Sequence, residues 1–263
     1  MKCLQLLLLF MVLAVPLMAQ RPPTLGSGRV VDLTHAFDES TVYWPTAQPF
    51  KLDTDFEGMT DKGYFYSAYR YSAAEHGGTH LDSPVHFAKD RYTVDQIPLQ
   101  QLMGAAVLID VTKQCAANPD YQVSVADFQE WERRNGRLAP GTIVLLRTGF
   151  GKHYPDRKKY LGTDERGDAA VAKLHFPGLD PAAARWLTQN RSIKAIGLDT
   201  ASIDYGQSTL FESHRILFEK NIPAFENVAN LDQLPAKGFS VIALPMKIKG
   251  GSGGPLRIVA LLE

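Results

Sequence analysis

Residues 76–86 read His-Gly-Gly-Thr-His-Leu-Asp-Ser-Pro-Val-His and gather three of the chain's seven histidines with an aspartate. Imidazole nitrogens and a carboxylate suit Zn(II) or Mn(II). A set without cysteine belongs with sites that keep a position open to water rather than with closed structural zinc sites. The four-residue step from His76 to His80 would share a helix face, but Gly77 and Gly78 break a helix and favour a tight turn. His80 and Asp82, two residues apart, project to the same side of an extended chain. His76, His80 and Asp82 are therefore expected to converge from a loop, with His86 close by.

A metal hydrolase takes further ligands from distant sequence. The stretch "ESHRILFEKNIPAFENVANLDQLP" offers His214 and Glu226, although Glu212, Glu219 and Glu226 are all of the type that usually ends up as a solvated surface carboxylate. "GGSGG", residues 250–254, fits the G-x-S-x-G pattern of serine hydrolases, but Pro255 and a strand-like run follow it and no histidine lies beyond 214. A nucleophile elbow needs a helix there, so Ser252 is not read as a nucleophile and the turn is read as a strand connection. His35, His153 and His175 are isolated and receive no catalytic role.

These residues need a frame. "RVVDLTHAF" and "KGYFYSAYRYSAAEH" are rich in β-branched or aromatic residues and read as strands, the second leading straight into the histidine motif. Its tyrosines, Tyr64, Tyr66 and Tyr69, read as core and edge packing. "AAVLIDV", "TIVLLRTG", "KAIGLDT", "FSVIALPM" and "LRIVALL" are short apolar runs, as strands buried on both faces would be. Helices are expected over "SVADFQEWERRNG", capped by Ser124 and stopped at Gly136, and over "DPAAARWLTQN", capped by Asp180 with Pro181 at its first turn. The polar, turn-rich residues 151–178 read as a surface excursion, a lid or a dimer contact. One α/β domain over residues 20–263 follows, a central strand-rich sheet with covering helices.

Lys and Arg total 28, as do Asp and Glu, so the net charge gives no reason to expect a nucleic-acid partner. Residues 1–19 carry one lysine, an apolar run from Leu4 to Val15, then Pro16 and Ala19, which is the pattern of a cleaved signal peptide, too short to span a membrane. The mature chain is expected to be exported, periplasmic or secreted, with no membrane span. Cys3 lies in that leader with no lipobox before it, which leaves Cys115 alone, in a loop, as a small buried hydrophobe.

The motif H-x-G-T-H-x-D-x-P-x-H, complete over residues 76–86, resembles the metal-dependent cyclase family that includes bacterial kynurenine formamidase and isatin hydrolase. The resemblance extends from "VDLTHAFDESTVYWP" through "IGLDTASID" and "IPAFENVANLDQLP" to "GGSGGPLRIVALL". It implies a swivelling β/β/α domain, commonly a homodimer. It implies that His76, His80, Asp82, His214 and Glu226 bind one or two Zn(2+) or Mn(2+) ions, with Asp82 bridging when there are two. His86 is then the proton donor and acceptor, and Trp44 the substrate contact. The family's usual W-P-G-D stands here as Trp44-Pro45-Thr46-Ala47. The implied activity is hydrolysis of a non-peptide C–N bond in a small molecule, read first as arylformamidase, N-formyl-L-kynurenine to L-kynurenine and formate. The alternative is opening of a cyclic amide or lactone in the manner of isatin hydrolase. A non-catalytic metal- or small-molecule-binding module is the reading from another class, and the presence of every ligand and of His86 argues against it.

Overall fold

The computed structural model describes residues 28–262, and the leader expected over residues 1–19 lies outside the described residues. In chain order the strands are β1 (Val30–Asp32), β2 (Lys51–Met59), β3 (Phe65–Ser72), β4 (His80–Asp82), β5 (Met103–Asp110), β6 (Gln122–Val123), β7 (Ile143–Arg147), β8 (Gly178–Leu179), β9 (Ala195–Leu198), β10 (Ala224–Glu226), β11 (Phe239–Pro245) and β12 (Gly253–Leu262). The helices are α1 (Thr112–Ala117), α2 (Val125–Asn135), α3 (Arg157–Leu161), α4 (Asp168–Val171), α5 (Pro181–Asn190) and α6 (Glu212–Phe218).

The strand-rich sheet closes on itself. Its order is β12-β11-β5-β7-β9-β10-β4, and β4 pairs back onto β12, so seven strands form a barrel to which β1 adds at the outer side of β12. The strands β5, β7, β9 and β10 run parallel, and the rest of the ring is antiparallel. The side-chain period of two explains the sequence of β7: Ile143 and Leu145 point into the barrel, Val144 and Leu146 out to the helices, and all four are fully buried. Each such side chain contributes about 1.5–3 kcal/mol of transfer free energy. Outside, α2, α5 and α6 bring Phe128, Trp131, Ala184, Leu187, Leu217 and Phe218 against the strands.

Both long helices start where their sequences require. Asp127 accepts from the Ser124 amide at 2.8 Å at the head of α2, and the Asp180 carboxylate accepts from the Ala182 amide at 2.6 Å ahead of α5. Gly136 ends α2.

Three expectations are corrected. The tyrosine-rich strand is β3, but it pairs only with β2 in a two-stranded ribbon, and Tyr64, Tyr66 and Tyr69 are exposed rather than core. Residues 151–178 lie at the surface over much of their length but are more than an excursion: Tyr160, Leu161, Leu174 and Phe176 are fully buried and form a small core with Val42 and Trp44. Their apolar residues follow no single period because they come from two short helices and a turn. Cys115 is buried as expected, but on α1 rather than a loop, since Lys113, Gln114, Ala116 and Ala117 around it are good helix formers. Among the described residues no helix is long and apolar enough to cross a membrane.

Candidate metal centre

Strand β4 sits between β10 and β12 at the seam of the barrel. Leu81 fills the barrel interior, which turns His80 and Asp82 outward together. In β10, Phe225 points inward and Glu226 outward, and the register places Glu226 directly opposite His80. On the other side Gly253 of β12 pairs with Asp82 and adds no side chain to the crowded face. Helix α6 then lays His214 over these strands. The turn ahead of β4 is fixed by sterics: Gly78 has φ +56, and a Cβ on Gly77 would sit 2.1 Å from the Tyr43 ring.

All five residues expected to bind metal meet. His76, His80 and Asp82 form one ligand-bearing group, and Asp82, His214 and Glu226 a second, so Asp82 belongs to both. Asp82 Oδ1 lies 2.6 Å from His76 Nδ1 and 3.0 Å from His80 Nε2. His214 Nε2 lies 3.2 Å from Asp82 Oδ2 and 3.1 Å from Glu226 Oε1. The second nitrogens are committed elsewhere, as in metal sites whose outer partners fix ring orientation. His80 Nδ1 is 2.9 Å from the Gly78 carbonyl, which also accepts from Asn227 Nδ2 at 2.8 Å. His214 Nδ1 is 2.6 Å from Asp204 Oδ2.

Charge in this cluster is concentrated and dry. Burial disfavours the His80 cation, but the Asp82 and Glu226 carboxylates outweigh it and lift its pKa to about 9. Burial also penalises the Asp82 carboxylate, yet His76, His80 and His214 hold it well below the usual range. Glu226 is raised by burial and by the charge of Asp82, partly offset by His214. The two carboxylates thus draw His80 toward its protonated form, and ligands of this kind release protons when a metal binds. His80 Nε2 is buried without a hydrogen bond although Asp82 Oδ1 is 3.0 Å away, because the carboxylate is not aligned with it. A buried nitrogen with no aligned partner, facing two carboxylates, fits a divalent ion.

His86 stands beside the cluster rather than in it. Its ring stacks on that of His76, with centroids 3.8 Å apart and planes at 17°. Burial, the largest influence, brings its pKa down to about 4, and the attraction of Asp82 does not make this up. The cluster and His86 line a cavity of about 290 Å³ whose other walls are largely apolar, including Trp44, Phe87 and Phe211. Trp44 packs edge-on against Phe176 and Phe211 as well as facing this cavity, so it is both core and wall. A larger cavity of about 780 Å³ around Thr148, Gly149 and Asp199 holds none of the metal-binding residues. The Asp199 carboxylate there already accepts from the Thr148 hydroxyl and from the Thr148 and Gly149 amides.

Several residues at the site carry no signal in the sequence. Asp204, which orients His214, and Phe87 and Phe211, which wall the cavity, come from positions with no motif spacing. Tyr160 donates to Asn227 Oδ1 at 2.9 Å, so the segment 151–178 braces the back of the site. His35, His153 and His175 lie outside the centre; His175 pairs with Asp120 at 2.8 Å on the surface.

A closed barrel that turns a His/Asp/Glu cluster outward into a cavity, with a neutral histidine alongside, defines a metal-dependent amide hydrolase. The putative cyclase family matches residues 31–205, and the chain belongs to that family. It is 31% identical to the isatin hydrolase of Roseibium aggregatum over 258 residues, 90% of this chain and 93% of that one. Identity to the kynurenine formamidase of Salinibacter ruber is 26% over 231 residues, 88% of this chain and 96% of that one. The structure of isatin hydrolase A from Ralstonia solanacearum superposes with a TM-score of 0.80 at 34% identity, covering 89% of this chain and 92% of that one.

Proposed function

We propose that the chain hydrolyses the ring amide of a small, planar, uncharged aromatic lactam of the isatin type. The observation that carries this is the cavity wall. Trp44, Phe87, Phe211, Val42 and Ala201 line it, and no lysine or arginine does. A flat bicyclic lactam is covered by such walls with its carbonyl toward the cluster. N-formylkynurenine carries an amino acid head whose carboxylate has no side-chain cation to meet here. The relatives support the same order, since identity to the isatin hydrolase exceeds that to the formamidase.

His76, His80, Asp82, His214 and Glu226 would hold one or two divalent ions, Zn(2+) or Mn(2+), with Asp82 common to both positions. When bound, an ion supplies Lewis acidity, polarising a carbonyl and lowering the pKa of water from about 15.7 toward 7. The protein's own part is proton handling and orientation. His86, neutral at pH 7, takes a proton from the attacking water as its oxygen bonds to the carbonyl carbon. It returns that proton to the ring nitrogen as the C–N bond breaks, leaving a free arylamine and a carboxylic acid whose proton, the second of the water, passes to solvent to give the carboxylate. Trp44 and the phenylalanines fix the ring plane and exclude bulk water. The test is isatin turnover by purified chain before and after chelation, beside N-formylkynurenine. Chelator-sensitive isatin opening is expected; hydrolysis of N-formylkynurenine with isatin untouched would return the formamidase reading.

The proposal includes a homodimer and export. The β2–β3 ribbon exposes Leu52, Phe56, Met59, Phe65, Tyr66 and Tyr71, and an isolated two-stranded ribbon with an uncovered apolar surface calls for a partner. Light scattering of wild type and Phe65→Lys tests the first, with monomeric wild type refuting it. N-terminal sequencing of chain recovered outside the cytoplasm tests cleavage after Ala19.

A further inference from the structure

The turn 250–254 reaches the metal centre from behind. Ser252 Oγ lies 2.8 Å from His76 Nε2 and 2.6 Å from Glu75 Oε2, and the Ser252 amide donates to that same carboxylate oxygen at 3.0 Å. A carboxylate only accepts, so the hydroxyl proton goes to Glu75 and the serine oxygen accepts from His76. His76 Nε2 therefore donates to Ser252 Oγ, and Nδ1 faces Asp82 Oδ1, 2.6 Å away, through a proton that a bound ion would displace. His80 and His214 are set the opposite way. Their Nδ1 protons go to the Gly78 carbonyl and to Asp204, and their Nε2 atoms face the cluster.

We propose that Glu75 and Ser252 are positioning residues of the metal centre: through their hydrogen-bond chain they hold His76 as an Nδ1 ligand. This deepens the hydrolase reading and rests on the same ion. His76 is the residue of the set that needs such a brace. Its side chain is 23% exposed against 3% for His80 and His214, and it belongs to no strand or helix. The glycines flanking Ser252 are shaped to the chain. A Cβ on Gly251 would lie 2.7 Å from Glu75 Oε1, and one on Gly253 would lie 2.6 Å from His76 Cε1 and 2.5 Å from the Leu81 carbonyl. The turn itself is tied down: the Ser252 carbonyl accepts from the Ser83 hydroxyl at 2.6 Å, and the Gly251 carbonyl from the Val94 amide at 2.9 Å. Ser252 does not line the cavity, so its hydroxyl serves the ring and not a substrate carbonyl.

The experiment is Zn(II) affinity of the mature chain, by competition with a chromophoric chelator, for wild type, Ser252→Ala, Ser252→Thr and Glu75→Gln. It is joined by nitrogen-15 NMR of the histidine rings in zinc-loaded wild type. Ser252→Ala is expected to lose about 10–100-fold in affinity with the circular dichroism of the metal-free chain unchanged, Ser252→Thr to retain affinity, and Glu75→Gln to fall between. The His76 ring is expected to keep its proton on Nε2. Wild-type affinity in Ser252→Ala, or a His76 proton on Nδ1, overturns the positioning role while leaving the metal centre standing. A wild type that binds no divalent ion overturns both. Should Ser252→Ala fail to fold, the ring tautomer of wild type decides alone.

Discussion

Stripping the ion separates a metal centre from a cluster of polar residues that merely satisfy one another. His80, Asp82 and His214 have side chains 2–3% exposed, so the native fold presents a preformed set that the unfolded chain lacks. Binding to the native state alone adds RT ln(1 + [M]/Kd), about 2.7 kcal/mol with free metal at a hundredfold excess over Kd and about 4.1 kcal/mol at a thousandfold. For a chain of this size each kcal/mol moves the midpoint by about 2–4 °C. Chelation should therefore lower Tm by about 5–16 °C, read by circular dichroism on the same sample before and after reconstitution. Asp82→Asn keeps the volume but removes the charge shared by both ligand groups, and its Tm should no longer respond to metal. A wild-type Tm indifferent to chelator at saturating metal, or an Asp82→Asn variant that keeps the full increment, would refute the assignment of these residues to an ion.

His86→Gln should retain bound metal, measured by plasma mass spectrometry, while kcat falls about 10²–10⁴-fold, the usual yield of a positioned proton-transfer group; equal metal loss in His86→Gln and Asp82→Asn would sink the division between acid–base residue and ligand. Cys115 has its pKa pushed up to about 12 by burial, with Asp199, Asp127 and Asp110 adding to it. At pH 8 only about one thiol in 10⁴ would be thiolate, so Cys115 should resist alkylation in the native chain and react on unfolding, as read by peptide mass spectrometry. Burial brings His35 down to about 4 from 6.5. Because its folded pKa is depressed, the unfolded chain binds the extra proton, and the contribution present above pH 6.5 is lost as pH falls toward 4. The slope is at most about 1.4 kcal/mol per pH unit, reduced by the ring's partial exposure, and His35→Phe should flatten the urea-midpoint profile over that window while wild-type slope in the variant would contradict the assignment.

The half of the barrel that faces the helices is legible in the sequence because β5, β7 and β9 are buried on both sides and read as unbroken apolar runs. Strands β4 and β10 are not, since each is three residues long and carries the ligands on its outer side, where a strand pattern would call for apolar residues. The sequence "KLDTDFEGM" of β2 gives no core signal because the ribbon has no buried face. At the site, the motif 76–86 names four of the six metal-binding and proton-transfer residues by spacing and type. His214 and Glu226 come from resemblance, because nothing local distinguishes Glu226 from Glu219; what separates them is register, Glu226 opposite His80 in the barrel and Glu219 on the surface beside Arg91. Asp204 and Glu75 escape notice for the same reason, and Ser252 stands out only as a false nucleophile, because they act through contacts whose partners lie between 10 and 177 residues away.

Closure of the barrel and assembly of the centre are one event. Strand β4 has only His80, Leu81 and Asp82, yet it is paired along its whole length to β10 on one side and β12 on the other. The outward direction of His80 and Asp82 is fixed by Leu81 entering the core, and a slip of one residue in either pairing would bury both ligands in the barrel and expose Leu81 to the cavity. The fully buried Leu81 makes that slip costly by the loss of its burial, about 1.5–3 kcal/mol, and by two polar groups placed without partners, about 1–3 kcal/mol each. The hydrophobic core therefore sets the ligand register before any ion arrives. Glu226 and His80 are held as a cross-strand pair by the same hydrogen bonds that close the ring, so the seam of the barrel is the part of this fold whose geometry the chemistry depends on.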